Sequence, residues 1–360
     1  MKLLFTFFIA SGGVETLNRL RSRALRQIGI ESHLLYLWDG AGKQNITDTP
    51  YFITNNDGDI ASILRTYQYD AIIASCDHLM PPRLRALGYT GPILYEAQGL
   101  GSREAASATL DDGAPYLRGY TQGILCTPTS HLMELFNSRF PDLPRFYVQN
   151  MVDTSRFVHS PAPWLNPAGK PIVSWIGRLE PNKNWPLFLH IGAVLARHKP
   201  DLQLWMFEDA NIAVAGERER FHWLARELAI ESRLTVRSNV PHDQMPYYLS
   251  VTGDSNGLLL STSNTEGFGY AVAEAMSCRC PVLATDSDGV RAFITHNQTG
   301  KFFPHEDVGT AVSEAIALID NRSLAEVIRS AALAHVRAGF SPERYAADIR
   351  NVLLALGIMR

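Results

Sequence analysis

The sequence predicts an α/β protein made of two successive doubly wound halves, each a parallel sheet covered by helices. Short apolar and β-branched runs alternate with amphipathic helical stretches, which is the βαβ order of a parallel sheet. A segment with four prolines and a glycine, "SPAPWLNPAGKP" at 160–171, then interrupts the rhythm, which restarts beyond it. The 360 residues exceed what one hydrophobic core usually serves.

In the first half "LLFTFFI" is a strand, "VETLNRLRSRALRQIG" a helix and "SHLLYLW" a strand, with "AIIAS", "PILYEAQ" and "GILCTPT" as later strands. The opening "MKLLFTFFIASGG" resembles a signal peptide, but so short an apolar run before Gly12-Gly13 and a helical pattern reads as a strand-turn-helix unit. In the second half "PIVSWIG", "LQLWMF", "LTVRS", "GLLLSTS" and "PVLATD" are strands. "WPLFLHIGAVLARH", "ERERFHWLARELAI" and "GYAVAEAMSC" are helices. The expected organisation is a first domain over 1–160, a linker at 161–171 and a second domain over 172–340. A terminal helix over 341–360 is expected to cross back to the first domain, with Ser341 as its cap and Pro342 in its first turn.

Composition excludes several classes. With 46% hydrophobic and 19% charged residues the chain reads as globular, and a formal charge of −3 argues against a nucleic-acid binder. Cys76, Cys126, Cys278 and Cys280 show neither the paired spacing of a zinc site nor a disulfide framework, so a reducing, cytoplasmic setting is expected. Trp175, Trp185, Trp205 and Trp223 fall in strand and helix patterns and are expected in the core, and His131 and His190 are expected to be structural. On the first helix Arg19, Arg23 and Arg26 share a face that is a candidate for peripheral contact with an anionic membrane, a solvated face being the alternative.

The chemistry concentrates where strands end and helices begin, because helix amino termini there present unpaired N–H groups. In "NTEGFGYAVAE", Gly267 and Gly269 let the backbone approach a ligand, and the helix that follows favours an anion such as a diphosphate. Glu266 and Glu274 border that pocket as acceptors for sugar hydroxyls. In "WIGRLEPNKNW", Arg178 and Lys183 supply charge-assisted partners for the same anion. The turn "ASGGVE" offers Gly12 and Gly13, and no GxGxxG fingerprint occurs, which counts against a nicotinamide enzyme.

With these motifs in place the chain resembles the large family of retaining glycosyltransferases that includes bacterial mannosyltransferases and sucrose synthase and shares the two-Rossmann GT-B fold. Glu266, seven residues and Glu274 match its strongest motif, "GRLEPNKN" its donor-phosphate motif, and "QNMVDTSRF" its Asn-Gly-Val-Asp segment, with Met151 in place of the glycine. The resemblance implies that Arg178 and Lys183 hold the donor diphosphate and that Glu274 binds the ribose. Glu266 would contact the donor sugar beside Gly267, Phe268 and Gly269, and Gly12 and Gly13 would face the donor from the other domain. The backbone at Asn239 and Val240 would meet the base. It implies no metal and no cofactor, a nucleotide-sugar donor, and a glycan, lipid-linked or small-molecule acceptor in bacterial surface-glycan synthesis. Where the family often has His-Gly this chain has Gln98-Gly99, which leaves Gln98 and Glu96 as acceptor-side candidates. A degenerate sugar-nucleotide-binding protein and a nucleotide-sugar epimerase are the competing readings.

Overall fold

The computed structural model describes residues 1–101 and 103–359. They form two units, Met1–Met151 with Phe340–Arg360, and Val152–Gly339. The first contains β1 (Lys2–Ile9), α1 (Gly12–Gln27), β2 (Glu31–Trp38), β3 (Tyr51–Ile53), α2 (Asp57–Tyr67), β4 (Ala71–Ser75), α3 (Met80–Ala86), β5 (Ile93–Ala97), α4 (Arg103–Tyr120), β6 (Gly123–Cys126), α5 (Ser130–Arg139) and β7 (Arg145–Tyr147). The second contains β8 (Ile172–Ile176), α6 (Trp185–His198), β9 (Gln203–Glu208), α7 (Glu217–Glu227), β10 (Leu234–Ser238), α8 (Met245–Asp254), β11 (Leu258–Ser261), α9 (Tyr270–Ser277), β12 (Val282–Thr285), β13 (Lys301–Phe303), α10 (Val308–Asp320) and α11 (Arg322–Gly339). The last helix, α12 (Pro342–Ala355), belongs to the first unit and packs on α1.

The sheets are parallel throughout, in the orders β3-β2-β1-β4-β5-β6-β7 and β10-β9-β8-β11-β12-β13. In both, the first strand lies between the second and the fourth, so the chain winds outward in opposite directions from one point. Covering by helices explains the unbroken apolar strands: all five residues of β4 and of β5 are buried. Three strands escape sequence reading, β3, β7 and β13. Each has three residues at a sheet edge, too few to display a period.

Several sequence expectations are corrected. The division between the units falls at Met151–Val152, not at 161–171. The proline-rich segment is strapped to the second unit: the Ser160 N–H donates to Ser250 Oγ at 2.8 Å and Ala162 is buried. Proline removes donors and fixes φ, but it does not prevent packing. Trp223 lies exposed on α7, because Phe221, Leu224 and Ala225 turn inward and a residue two positions from Phe221 points away. The basic face of α1 is also absent. Arg19 is buried against Glu15 at 2.9 Å, while Arg23 pairs with Asp48 at 2.8 Å. Only Arg26 of the three is largely exposed, its side chain keeping 52% of its surface, and it too lies near Asp48. No described helix is long and apolar enough to cross a membrane.

The first unit is organised around one buried ion pair. Arg21 of α1, fully buried, meets both oxygens of Glu96 at 2.7 and 2.8 Å, stacks its guanidinium 3.8 Å from the centre of Phe5 and reaches Asn18 and Ser75. Burial is the largest single influence and opposes its charge, but Glu96 and Tyr345 together hold the guanidinium above its ordinary value. Tyr345 of α12 is the next group to favour that charge, and burial pushes its own hydroxyl up to about 12. The pair therefore ties α1 to β5, and α12 packs on α1 beside it.

Two outcomes follow from this packing. Glu96→Ala, which strands a buried guanidinium, should cost about 3–5 kcal/mol in urea unfolding, while Arg21→Met with Glu96→Leu should recover most of that loss. Burial drives the thiols of Cys126, Cys278 and Cys280 well above their usual range. Mass spectrometry after brief iodoacetamide treatment of the native chain at pH 8 should therefore find none of these three alkylated, and all of them after unfolding.

Candidate functional site

The site is built at the carboxyl end of the second sheet, where β8 and β11 lie side by side and their connections leave in opposite directions. The loop after β8 carries "GRLEPNKN" and the loop after β11 carries "TSNTEGFG". Asparagines lace the two together. Asn182 accepts from the Thr265 N–H at 3.2 Å and its hydroxyl at 2.8 Å, and donates to the Thr265 carbonyl at 3.1 Å. The Asn264 N–H donates to the Asn182 carbonyl at 2.8 Å, and Asn184 reaches Asn264 Oδ1 at 3.3 Å. Beneath them Thr262 Oγ1 accepts from the Trp175 indole at 3.0 Å. It also lies within 3.0 Å of the Lys183 and Asn184 carbonyls.

This lacing brings Lys183 and Glu266 together although 83 positions separate them: Nζ to Oε1 is 2.6 Å, and the Ser263 hydroxyl donates to the same oxygen at 2.7 Å. Both side chains keep some exposure, 21% and 16%. Arg178 is more open and rests 3.2 Å from Glu180. Both cations thus have a carboxylate partner in this state. An exposed pair is worth at most about 1 kcal/mol, so a doubly charged anion competes readily for Arg178.

The helix α9 starts at the same rim. Its cap Gly269 has φ +83, and a Cβ there would come within 2.8 Å of the Val290 side chain, so glycine is required on both counts. Gly289, in the loop after β12, lies against the Glu266–Gly267 backbone, where a Cβ would stand 2.3 Å from the Glu266 carbonyl oxygen. Phe268 is buried edge-on to Phe293, their centres 4.8 Å apart, and anchors the loop from below while Gly267 stays partly exposed.

Glu274 lies on α9, only 6% exposed, and its Oε1 is 2.8 Å from Nε2 of His242. His242 follows β10 in the same loop as Asn239 and Val240, which are half-buried; Asn239 takes φ +53 and its N–H donates to the Glu208 carbonyl at 2.9 Å. The second unit therefore gathers Arg178, Lys183, Glu266, Gly267, Phe268, Gly269 and Glu274 on the loops and helix that follow β8 and β11. The His242 contact brings the Asn239–Val240 loop to Glu274. Gly12 and Gly13 belong to the first unit, exposed at the start of α1. Sequence reading missed His242, whose one signal is its position three residues past Asn239. It also missed Ser263, three positions before Glu266 in the same loop, and Gly289, which only the tertiary approach of the loop after β12 brings to Glu266.

The acceptor-side candidates part company. Glu96 is 2% exposed and committed to Arg21 and to the Ser75 hydroxyl at 2.6 Å, so it is a structural carboxylate, not a group that meets an acceptor. Gln98 bridges it at 3.0 Å to Asn150, whose amide donates to Gln98 Oε1 at 2.6 Å. Among the described residues, no group of three or more His, Cys, Asp or Glu side chains is placed to hold a metal ion.

Comparison with known proteins finds a matching family profile and the same fold. Residues 159–335 match the profile of the family "Glycosyl transferases group 1". A 2-deoxystreptamine N-acetyl-D-glucosaminyltransferase of Niallia circulans is 26% identical over 48% of this chain and 42% of its own length. The lipopolysaccharide core mannosyltransferase LpcC of Rhizobium leguminosarum is 27% identical over 60% of this chain and 61% of its own. The chain thus spans less than two thirds of the length of either relative. Among solved structures, Anabaena HepE in complex with UDP-glucose superposes with a TM-score of 0.83 at 18% identity, covering 99% of this chain and 100% of that one. Sucrose-phosphate synthase of Thermosynechococcus elongatus does so with a TM-score of 0.79 at 18% identity, covering 99% of both. Two Rossmann-like units that superpose on these structures give the chain the GT-B fold, and the second unit carries the match to the glycosyl transferases group 1 profile.

Proposed function

We propose that the chain is a retaining glycosyltransferase that moves a sugar from a nucleotide-diphosphate sugar to an acceptor hydroxyl in bacterial surface-glycan synthesis, without a metal. The observation that carries this reading is the convergence of Arg178, Lys183, Glu266 and the start of α9 at the switch point of the second sheet, with Glu274 on the same helix. A diphosphate seated there meets two cations and a helix amino terminus. The LpcC relative and the sugar-nucleotide complex of HepE support the donor and pathway class.

In the proposed reaction the bond from the anomeric carbon to the phosphate oxygen breaks while the acceptor oxygen bonds that carbon on the same face. The acceptor proton passes to an oxygen of the departing diphosphate. The protein's task is to stabilise the leaving charge and to hold the reactants in place. Arg178 and Lys183 perform the first, with Lys183 exchanging Glu266 for phosphate as donor enters. Glu266, freed of the lysine, accepts from a donor-sugar hydroxyl. Glu274 accepts from the ribose.

Differential scanning fluorimetry with UDP, GDP, ADP and dTDP and their sugar conjugates, in EDTA, tests the donor assignment. One nucleotide at about 100 times its Kd should stabilise the chain by about 2.7 kcal/mol, and no shift with any of them would overturn the reading. Kinetics then separates the roles. Lys183→Ala should lower kcat about 10²–10³-fold. Glu274→Ala should chiefly raise the KM for donor. Wild-type values for both variants would remove them from the site.

A further inference from the structure

His242 has no role in the family resemblance or in the reading above, yet it is the only hydrogen-bond partner of the Glu274 carboxylate among the described residues. Glu274 is 6% exposed, so its charge has given up nearly all its water and needs a compensating donor. Because a carboxylate can only accept, Nε2 of His242 carries the proton in the 2.8 Å contact. The imidazole is itself held: Phe157, 3% exposed, lies with its ring centre 4.8 Å from that of His242. The ring also sits three residues beyond Asn239, whose left-handed backbone turns the loop out of β10.

The arrangement is asymmetric. Oε1 is occupied by a donor fixed from outside the helix, whereas Oε2 has no side-chain partner. A carboxylate held in this way has one orientation and one oxygen whose two lone pairs remain for a ligand. Two adjacent hydroxyls on one ring match that acceptor; a single hydroxyl uses half of it.

We infer that His242 is a positioning residue, which fixes Glu274 as a one-oxygen acceptor for the vicinal hydroxyls of the nucleotide ribose and so makes the site select ribonucleotides over 2′-deoxyribonucleotides. This rests on the donor-site reading proposed above. The selectivity arises because a 2′-deoxy ligand leaves a buried, charged acceptor partly unpaired, a deficit worth roughly tenfold or more in affinity.

Calorimetric titration of the full chain with UDP, GDP and ADP, and with the 2′-deoxy form of each, tests it. The wild-type chain should bind at least one ribonucleoside diphosphate roughly tenfold or more tightly than its 2′-deoxy form. His242→Leu keeps an apolar side chain against Phe157 but removes the donor, and should reduce that ratio below about threefold. His242→Gln restores an N–H donor and should recover it. If the wild-type chain discriminates and His242→Leu does so equally, His242 only packs and the inference fails while the donor site stands. Equal loss in both variants points to a purely structural role and also overturns it. Binding without a ribose preference overturns the inference alone, and no binding of any diphosphate overturns the donor-site reading with it.

Discussion

The candidate site depends on one constraint of chain topology. In the second unit β8 is hydrogen-bonded to β9 on one side and to β11 on the other, so the connections that leave β8 and β11 must diverge. Two loops that begin side by side and then separate leave a crevice at the strand ends, and no other neighbouring pair in that sheet has this property. Lys183 comes from one of these loops and Glu266 from the other. Their contact is a consequence of strand order, and the asparagine lacing between 182–184 and 264–265 makes it a defined one.

Charge is handled differently in the two units. In the first, Arg21 and Glu96 are both buried and satisfy one another through two short contacts, a pair whose removal by halves is costly because neither partner has water to return to. In the second, Lys183–Glu266 and Arg178–Glu180 keep partial access to solvent. A pair that is easily resolvated can exchange partners when an anion arrives; a sealed pair cannot. This difference in burial, more than residue type, separates a carboxylate that builds the fold from carboxylates that can serve a ligand. It also explains why Glu96, next to the strand ends and plausible from sequence, does not belong with Glu266 and Glu274.

The glycines around the second site are similarly a matter of space. Gly269 gives α9 its left-handed cap and leaves room for Val290, and Gly289 lets a third loop close on the Glu266–Gly267 backbone. Glu266 is thereby held from two sides, by Ser263 and by the backbone packing of Gly289. Glu274 depends on His242, which itself depends on Phe157 and on the turn at Asn239.

Much of this was legible in the order of residues. The buried strands β1, β4, β5, β8 and β11 announce themselves because a strand covered on both faces needs an unbroken apolar run, and the helices α1, α6, α7, α9 and α12 because one face must be apolar. The Arg178, Lys183, Glu266 and Glu274 motifs were visible because strand-turn-helix spacing is local. What sequence left open is whatever depends on a partner far along the chain. The short edge strands β3, β7 and β13 exist because a neighbour supplies their hydrogen bonds. Arg19 and Arg23 read as a basic face, but Glu15 and Asp48 neutralise them. His242 reads as an ordinary loop histidine until α9, 32 positions on, presents Glu274 to it. Local pattern determined the two α/β halves and the residue types at the strand ends. Tertiary structure decided which charges are sealed and which stay open, because burial and pairing are set by neighbours that sequence distance conceals.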